Sequence, residues 1–151
     1  MTIREATIED MPAILTLGEE FFKVSGIPAF CRFNLKSCSI LIRQLIQGDG
    51  ATILVLEHAG EIVGILGAYL VLMPFNLDHI NCQEMFWYIA PAHRGGTGAL
   101  RLIKALFAWA EANGARSISM AAMEAQDREK VTKLYKAMKL QKLEEHWTGR
   151  I

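Results

Sequence analysis

The chain has 151 residues, 52% of them hydrophobic, and its 16 Lys and Arg residues balance its 16 Asp and Glu residues. This length suits one domain with a sizeable core and is too short for two comfortable domains, so we expect a single domain over residues 1–151. The balanced charge excludes the broad positive field of a non-specific nucleic-acid-binding protein.

The cysteines and the N-terminal residues indicate the cellular compartment that is expected for the protein. Cys31, Cys38 and Cys82 show no paired-ligand spacing and are odd in number, which argues against a zinc site and against a secreted disulfide framework. We therefore predict no metal and a reducing, cytoplasmic environment. The first residues are acidic and polar, and no apolar run reaches the ~18 residues of a membrane span, so no membrane partner is expected.

The first third of the chain predicts a strand and two helices. Residues 3–6 suit a short strand, and Thr7 with Asp10 three positions later is an N-cap signature. The helix that follows has the apolar stripe Met11, Ile14, Leu15, Gly18, Phe21 and Phe22. The apolar residues of 25–34 follow neither the helical nor the strand period, and this segment is interpreted as the lip of a pocket. A second helix then carries the stripe Cys38, Leu41, Ile42, Leu45 and Ile46.

The middle and end of the chain predict a hairpin, a strand–helix unit and a closing segment. Residues 52–57 and 62–72 are rich in β-branched residues and are separated by a turn of hairpin length. Residues 73–81 are expected to be irregular. Beyond the strand and helix discussed next, a strand is predicted over 116–122, a helix over 127–138, and one or two strands over 140–151.

The most informative stretch is Glu84–Ala115, which reads as strand, Gly-rich turn and amphipathic helix. Gly95, Gly96 and Gly98 allow close backbone approach to a ligand, and a helix starting near Thr97 adds its positive dipole end. The apolar face of the helix, which holds the turn in place, comprises Ala99, Leu102, Ile103, Leu106, Phe107 and Ala110. The pattern predicts a phosphate-binding turn.

Several phosphate ligands use such a turn. A nucleotide P-loop is excluded because no Gly-Lys-Ser/Thr triplet is present. A dinucleotide site remains open, with Glu124 as the ribose-binding acid, although Arg101 stands where the third glycine of that fingerprint is required. A plain tight turn and a coenzyme A site are the other two alternatives.

The run IAPAHRGGTGALRLI, residues 89–103, resembles the acyl-CoA-binding motif of the GNAT acetyltransferase superfamily, with Ile89, Pro91, Arg94 and Ala99 on motif positions. The opening IREATIEDMPAIL resembles the first strand and helix of that family, and LYKAMKL resembles its last helix end. Three positions depart from the pattern: Thr97 and Lys139 replace usual glycines, and Arg128 replaces a frequent asparagine.

The resemblance implies an α/β fold with a central mixed, mostly antiparallel twisted sheet of six to seven strands flanked by about four helices. It implies acetyl-CoA or coenzyme A as the acyl-donor substrate. Backbone amides of the turn would hold the pyrophosphate, and backbone groups of the preceding strand would pair with the pantetheine arm after that strand splays from its neighbour. The residues concerned are Arg94, Gly95, Gly96, Thr97, Gly98 and Ala99 for the first role, and Tyr88, Ile89 and Ala90 for the second.

Two catalytic residues follow from the same resemblance. Tyr135 occupies the position of the usual general acid, with core packing as its alternative role. Glu84 is the best carboxylate for the general base, and its alternative role is that of a solvated charge at the end of a strand. His79 is a second candidate base. His93 is assigned an electrostatic supporting role, and a backbone N–H near Ile89 is expected to meet the oxyanion.

The predicted function is transfer of an acetyl group from acetyl-CoA to a primary amine by direct attack in a ternary complex. A non-catalytic acyl-CoA-binding or regulatory module is the alternative. The expected acceptor is a small-molecule or peptide amine. Its pocket is expected to be lined by residues 25–34 and 73–81, which include Arg32, Asp78 and His79. Dimerisation through the C-terminal strands is a further hypothesis by analogy.

Overall fold

A computed structural model describes residues 1–123 and 127–151, so the candidate Glu124 lies outside the described residues. The chain divides into two compact units, residues 1–18 with 34–121 and residues 19–33 with 122–151. The strands are β1 (Thr2–Glu5), β2 (Ala51–His58), β3 (Glu61–Met73), β4 (Asn76–Ile89) and β5 (Ser117–Ser119). The helices are α1 (Met11–Val24), α2 (Leu35–Gln47), α3 (Gly98–Ala112) and α4 (Arg128–Ala137).

The first unit contains a sheet with the strand order β1-β2-β3-β4-β5. Neighbours from β1 to β4 are antiparallel, and β5 pairs with β4 in parallel. The prediction of a mixed, mostly antiparallel sheet is therefore confirmed. The largest fully buried side chains of this unit come from α1, the central strands and α3, and they are Ile14, Ile53, Leu56, Ile65, Leu66, Leu102, Ile103 and Leu106.

Both hairpins of the sheet are tight. Ala59 and Gly60 join β2 to β3 with φ of 52° and 84°, which is the backbone of a two-residue turn that matches strand twist. The expectation that residues 73–81 are irregular is wrong in part: β3 runs to Met73 and β4 begins at Asn76, but the pairing register shifts by three residues between the pairs Leu72–Ile80 and Met73–Asn76. Cross-strand pairing of Leu72 with Ile80 outweighs the turn-forming residues there.

The predicted count of six to seven strands is also wrong, since the sheet has five among the described residues. Residues 140–151 form no helix or strand, so the prediction of one or two closing strands there is wrong. Leu143 and Trp147 in this segment are 90% and 89% exposed. A strand requires a paired backbone as well as suitable side chains. The hypothesis of dimerisation through C-terminal strands therefore has no described strand in this segment on which to rest.

The second unit contains α4, whose C-terminal end has an unusual residue in the left-handed region. The N–H of Leu140 donates to the carbonyl of Tyr135 at 3.0 Å and that of Lys139 to Lys136 at 3.0 Å, which is the Schellman pattern. Lys139 has φ of 63°, where glycine is usual. The chain therefore keeps the turn of the resembled family while lacking its glycine.

Lys139→Gly is expected to stabilise the protein by about 1 kcal/mol, because glycine removes the Cβ strain of the left-handed conformation. Chemical denaturation of the two proteins measures the difference. Lys136→Gly, one turn earlier in α4, is the matched control and should destabilise by about 1 kcal/mol because its backbone is helical. Equal effects of the two glycines would contradict this account.

None of the described helices combines the length and the apolarity that a bilayer crossing requires.

Candidate active site

The strands β4 and β5 run together for only a short distance. Their parallel pairing covers Asn81 to Gln83 opposite Ser117 to Ser119. Two residues further along β4, the register with β3 shifts, since Gly67 pairs with Phe86 and Ala68 pairs with Glu84. Met85 is thus the extra residue of a β-bulge, a device that bends a strand and ends pairing. The predicted splay of β4 from its neighbour stays a prediction, and the end of the β4–β5 pairing beside this bulge supports it.

Gly67 makes room for this bulge. A Cβ at position 67 would lie 2.5 Å from Cζ of Phe86, so the aromatic ring lies directly over the glycine backbone. Such close approach admits no larger residue without displacement of the ring. The pair therefore fixes the bulge next to Glu84.

The carboxyl group of Glu84 lies where the two strands part. Its Oε2 accepts the N–H of Ala121 at 2.8 Å, two residues beyond the end of β5. Glu84 is only 7% exposed. Burial raises the pKa of this carboxyl to about 7, while the Ala121 hydrogen bond acts in the opposite direction. The group can therefore both accept and release a proton near neutral pH.

A polar network holds β5 against β4 just before the separation. The buried Asn81 accepts, through Oδ1, hydrogen bonds from Ser117 Oγ at 2.8 Å and Ser119 Oγ at 3.4 Å. His79 joins the network through Nε2, 2.8 Å from Ser117 Oγ. Because His79 precedes Glu84 by five residues on β4, the two lie ~16 Å apart along the strand. The structure does not bring the two candidate bases together.

The backbone at the end of β4 has one edge turned away from β3. The N–H of Ala90 donates to the carbonyl of Val63 at 2.9 Å, so by strand alternation the backbone groups of Ile89 point to the opposite edge. The carbonyl of Ile89 accepts a 2.7 Å hydrogen bond from Nε of Arg94. The guanidinium of Arg94 also lies 5.0 Å from the ring centroid of Tyr88. Arg94 thereby ties the turn to the strand end, a role that the motif alone did not indicate.

The Gly-rich turn presents a run of backbone donors. Among the described residues, no hydrogen bond is formed by the N–H groups of Gly95, Gly96, Thr97, Gly98 and Ala99. Gly95 has φ of 88°, and a Cβ at Gly96 would meet nothing within 4 Å. Gly95, Gly96 and Thr97 are exposed and lead into the positive end of α3, which suits an anion.

Thr97 and Gly98 connect this turn to the core. Thr97 is the N-cap of α3 as predicted, with φ of −83°, and its hydroxyl makes no capping hydrogen bond. A Cβ at Gly98 would lie 3.0 Å from Cδ2 of Leu56. The first turn of α3 therefore packs tightly on β2, and threonine is compatible with the backbone at position 97.

The neighbour of His93 is not evident from the sequence. The rings of His93 and His58 have centroids 5.3 Å apart and are tilted by 59°. His58 ends β2, so only the tertiary fold reveals this neighbour of the turn. Ala121, the hydrogen-bond partner of Glu84, carries no side-chain signal and was likewise not predicted.

Tyr135 lies in the second unit. It is on α4 and is 8% exposed. Its burial fits both of the roles that the sequence allows.

These features agree with a match to a family model. Residues 20–139 match the model described as the acetyltransferase (GNAT) family. The chain belongs to the GNAT acetyltransferase family. The fold is the GNAT fold, and membership implies an acyltransferase. No curated protein matches the sequence significantly.

Solved structures with this GNAT fold share little sequence with the chain. A ribosomal-protein-alanine N-acetyltransferase from Brucella melitensis biovar Abortus 2308 superposes with a TM-score of 0.75 at 20% identity over 100% of both chains. An aminoglycoside acetyltransferase, HMB0005, from an uncultured soil metagenomic sample gives 0.76 at 22% identity over 99% of this chain and 97% of that one. The aminoglycoside N-acetyltransferase AAC(6')-Iy, in complex with CoA, gives 0.79 at 14% identity over 99% and 93%.

Proposed function

We propose that the protein is an N-acetyltransferase that moves the acetyl group of acetyl-CoA to a primary amine by direct attack in a ternary complex. The observation that carries this proposal is the carboxyl of Glu84, buried where β4 parts from β5 and hydrogen-bonded to Ala121. The carboxyl accepts the Ala121 N–H with one oxygen, and its burial with a pKa near 7 also suits proton transfer.

Coenzyme A fits the residues at the Gly-rich turn. Consecutive N–H groups from Gly95 to Ala99, together with the N-terminus of α3, match the charge and donor needs of a pyrophosphate. The outward N–H of Ile89 suits an extended amide-bearing arm, which would add to β4 as a strand does, while the Ile89 carbonyl already accepts a hydrogen bond from Arg94. Of the neighbouring positions, Ala90 already donates its N–H to Val63. The bound thioester supplies the activated acetyl group.

Glu84 is assigned the role of general base. An amine with a pKa near 10.4 costs about 4–5 kcal/mol to deprotonate at pH 7, so a proton acceptor is required. The Glu84 carboxylate takes the proton of the attacking amine, directly or through a water. The Ala121 N–H keeps one carboxyl oxygen oriented while the other stays available.

Tyr135 is assigned the role of general acid for the leaving thiolate. A phenol is neutral at pH 7 and can donate its proton to a thiolate with a pKa near 8–9. Tyr135→Phe is expected to lower kcat by about 10²-fold or more, with the affinity for coenzyme A unchanged. Thiol release and equilibrium CoA binding measure the two quantities.

The control is Tyr69→Phe on β3, which removes a phenol from a partly exposed strand position. A Tyr135→Phe protein with unchanged kcat would show that this tyrosine only packs. Absence of turnover in the unmutated protein, with CoA binding intact, would instead support the non-catalytic module.

Thermal unfolding with acetyl-CoA, CoA, NAD and ATP in parallel tests the ligand assignment. A ligand at ~100 times its dissociation constant adds about 2.7 kcal/mol of stability. Stabilisation by acetyl-CoA and CoA alone supports the proposal, whereas stabilisation by NAD alone reopens the dinucleotide alternative. An amine panel scored by thiol release then follows, and it includes an aminoglycoside and an alanine-terminated peptide because the similar structures include enzymes named for each.

A further inference from the structure

The strand β5 is short, and in the described sheet it has a neighbour on one side only. Its residues Ser117 to Ser119 pair with β4, and no other described strand pairs with it. A ladder of this length makes few backbone hydrogen bonds, so the register of β5 is weakly specified unless side chains add to it. The chain then reaches Ala121, whose N–H donates to the Glu84 carboxyl. The register of β5 therefore decides where this donor lies.

Asn81 supplies side-chain contacts that add to the short ladder. It pairs with Ser117, is 4% exposed, and accepts through Oδ1 the hydroxyls of Ser117 at 2.8 Å and Ser119 at 3.4 Å. The first and last residues of β5 are thus bonded to one buried carboxamide oxygen. Burying an amide costs free energy unless it is hydrogen-bonded, so an apolar residue would serve packing alone equally well. Contact with both ends of β5 fixes its register.

His79 completes this network and determines the direction of its hydrogen bonds. The Ser117 hydroxyl has one proton, which it donates to Asn81. Nε2 of His79 lies 2.8 Å from the same hydroxyl oxygen, so it must be the donor in that contact. A neutral imidazole protonated at Nε2 and a charged imidazolium can both donate there. The network that holds β5 therefore persists when His79 gains or loses a proton at its other nitrogen.

We propose that Asn81 is a positioning residue for the reaction: it holds β5 in the register that places the Ala121 N–H on the Glu84 carboxyl. A slip of β5 by one residue would move this N–H by ~3.3 Å, and a contact that now measures 2.8 Å would be lost. All the residues concerned belong to the first unit. The inference rests on the proposed function for the word reaction, whereas the effect of Asn81 on Glu84 does not depend on turnover.

The Ala121 N–H is the group through which Asn81 acts on the carboxyl. Burial raises the pKa of Glu84 to about 7, the Ala121 hydrogen bond lowers it, and no ionised side chain among the described residues contributes. Burial also raises the pKa of the Cys82 thiol, to about 11, so this neighbour on β4 stays neutral up to pH 9. β5 has no titratable side chain, and those that remain on β3 and β4 are Glu61, Tyr69, Asp78, His79 and Tyr88. Loss of the Ala121 hydrogen bond should therefore raise the pKa of Glu84.

Asn81→Leu tests the proposal, because leucine has a similar volume and no hydrogen-bonding group. NMR titration of protein labelled with carbon-13 glutamate follows the Glu84 carboxyl, whose resonance is the one absent from Glu84→Gln. We expect the titration midpoint of Glu84 to move to higher pH in Asn81→Leu, because the carboxylate loses the Ala121 donor. The value of kcat/KM should fall about tenfold at pH 6 and much less at pH 9.

Ser117→Val and Ser117→Thr form a matched pair that keeps the test available if Asn81→Leu does not fold. Valine and threonine have the same shape and differ in the hydroxyl. Valine should move the Glu84 midpoint to higher pH and lower kcat/KM about threefold at pH 6, whereas threonine should retain the unmutated midpoint. Thr52→Val removes a buried hydroxyl that is bonded to Glu5 elsewhere in the sheet, and it is the control. The Glu84 midpoint should not move in this control, and CoA binding checks that each variant is folded.

An unmoved Glu84 midpoint in folded Asn81→Leu and Ser117→Val would overturn the inference while leaving the proposed function in place. A loss of kcat/KM that is equal at every pH would also overturn it, because a purely structural role has that effect. If Asn81→Leu moves the midpoint but Glu84→Gln retains normal kcat, the role of Glu84 as base fails and its positioning by Asn81 stands. The same holds if the midpoint moves in a protein that has no turnover.

Discussion

Replacing Glu84 with glutamine is expected to lower kcat by 10²- to 10⁴-fold, the usual contribution of a general base. The amide keeps an oxygen to accept the Ala121 N–H and nearly the same volume, so the strand separation should persist. In the unmutated protein, kcat/KM should rise with pH around 7 as the carboxyl ionises. In Glu84→Gln the rise of kcat/KM around pH 7 should be absent, and only the rise due to deprotonation of the acceptor amine should remain. Thiol-release kinetics from pH 5 to pH 9 measure both.

Stability provides a second readout of the same substitution. The folded-state pKa of Glu84 is about 7, above the ordinary 4.5, so the folded protein binds the proton more tightly than the unfolded chain does. Unfolding free energy therefore falls as pH rises from 4.5 through 7, by about 3 kcal/mol in total. The free energy of unfolding of Glu84→Gln should not fall in this way. It should exceed that of the unmutated protein by a large amount at pH 8 and by a small amount at pH 4.5.

Glu111→Gln, an exposed carboxylate on α3, is the control for both measurements. A Glu84→Gln protein with normal kcat and the same pH profile would remove Glu84 from the mechanism. His79→Gln would then be the next variant, because His79 is the other candidate and lies at a distinct point of β4.

Gly96→Asp is expected to weaken CoA binding on the order of 100-fold, because it places a carboxylate among the donors meant for phosphate. A Cβ at this position meets nothing within 4 Å, so the fold should tolerate the substitution. Gly96→Asn has nearly the same shape without the charge and should lose much less affinity. Equilibrium titration with CoA measures the difference, and thermal unfolding without ligand checks the fold.

Equal loss in the Asp and Asn variants would mean that shape alone matters at position 96. No loss in either variant would place the pyrophosphate elsewhere than in this turn. Gly95 is unsuitable for the same test, because its φ of 88° makes any side chain strained and mixes stability with binding.

Local patterns in the sequence predicted the Gly-rich turn and its helix well. The apolar spacing from Leu102 to Ala110 places one face of α3 in the core, and Thr97 is its N-cap. Such features depend on residues a few positions apart, so they can be read without a fold. The motif also determined the family, since its residues carry the resemblance that the family model supports.

Other expectations failed where distant backbone decides the outcome. The C-terminal residues 140–151 are predicted to contain one or two strands but form none, and residues 76–81 look irregular but belong to β4. In both cases the presence or absence of a paired strand outweighs the local preference. Pairing partners lie far away in the chain, so single-sequence reasoning does not reveal them.

The sequence by itself determined the chemistry available to this protein: a donor-rich turn at a helix N-terminus, a carboxylate on the strand before it, and a tyrosine on the last helix. Only the tertiary structure decided the state of that carboxylate. Glu84 lies between the end of the β4–β5 pairing and the bulge at Met85, where it is buried and accepts a backbone N–H from another segment. Burial raises the energy of the charged form, and burial is a property of the packed fold.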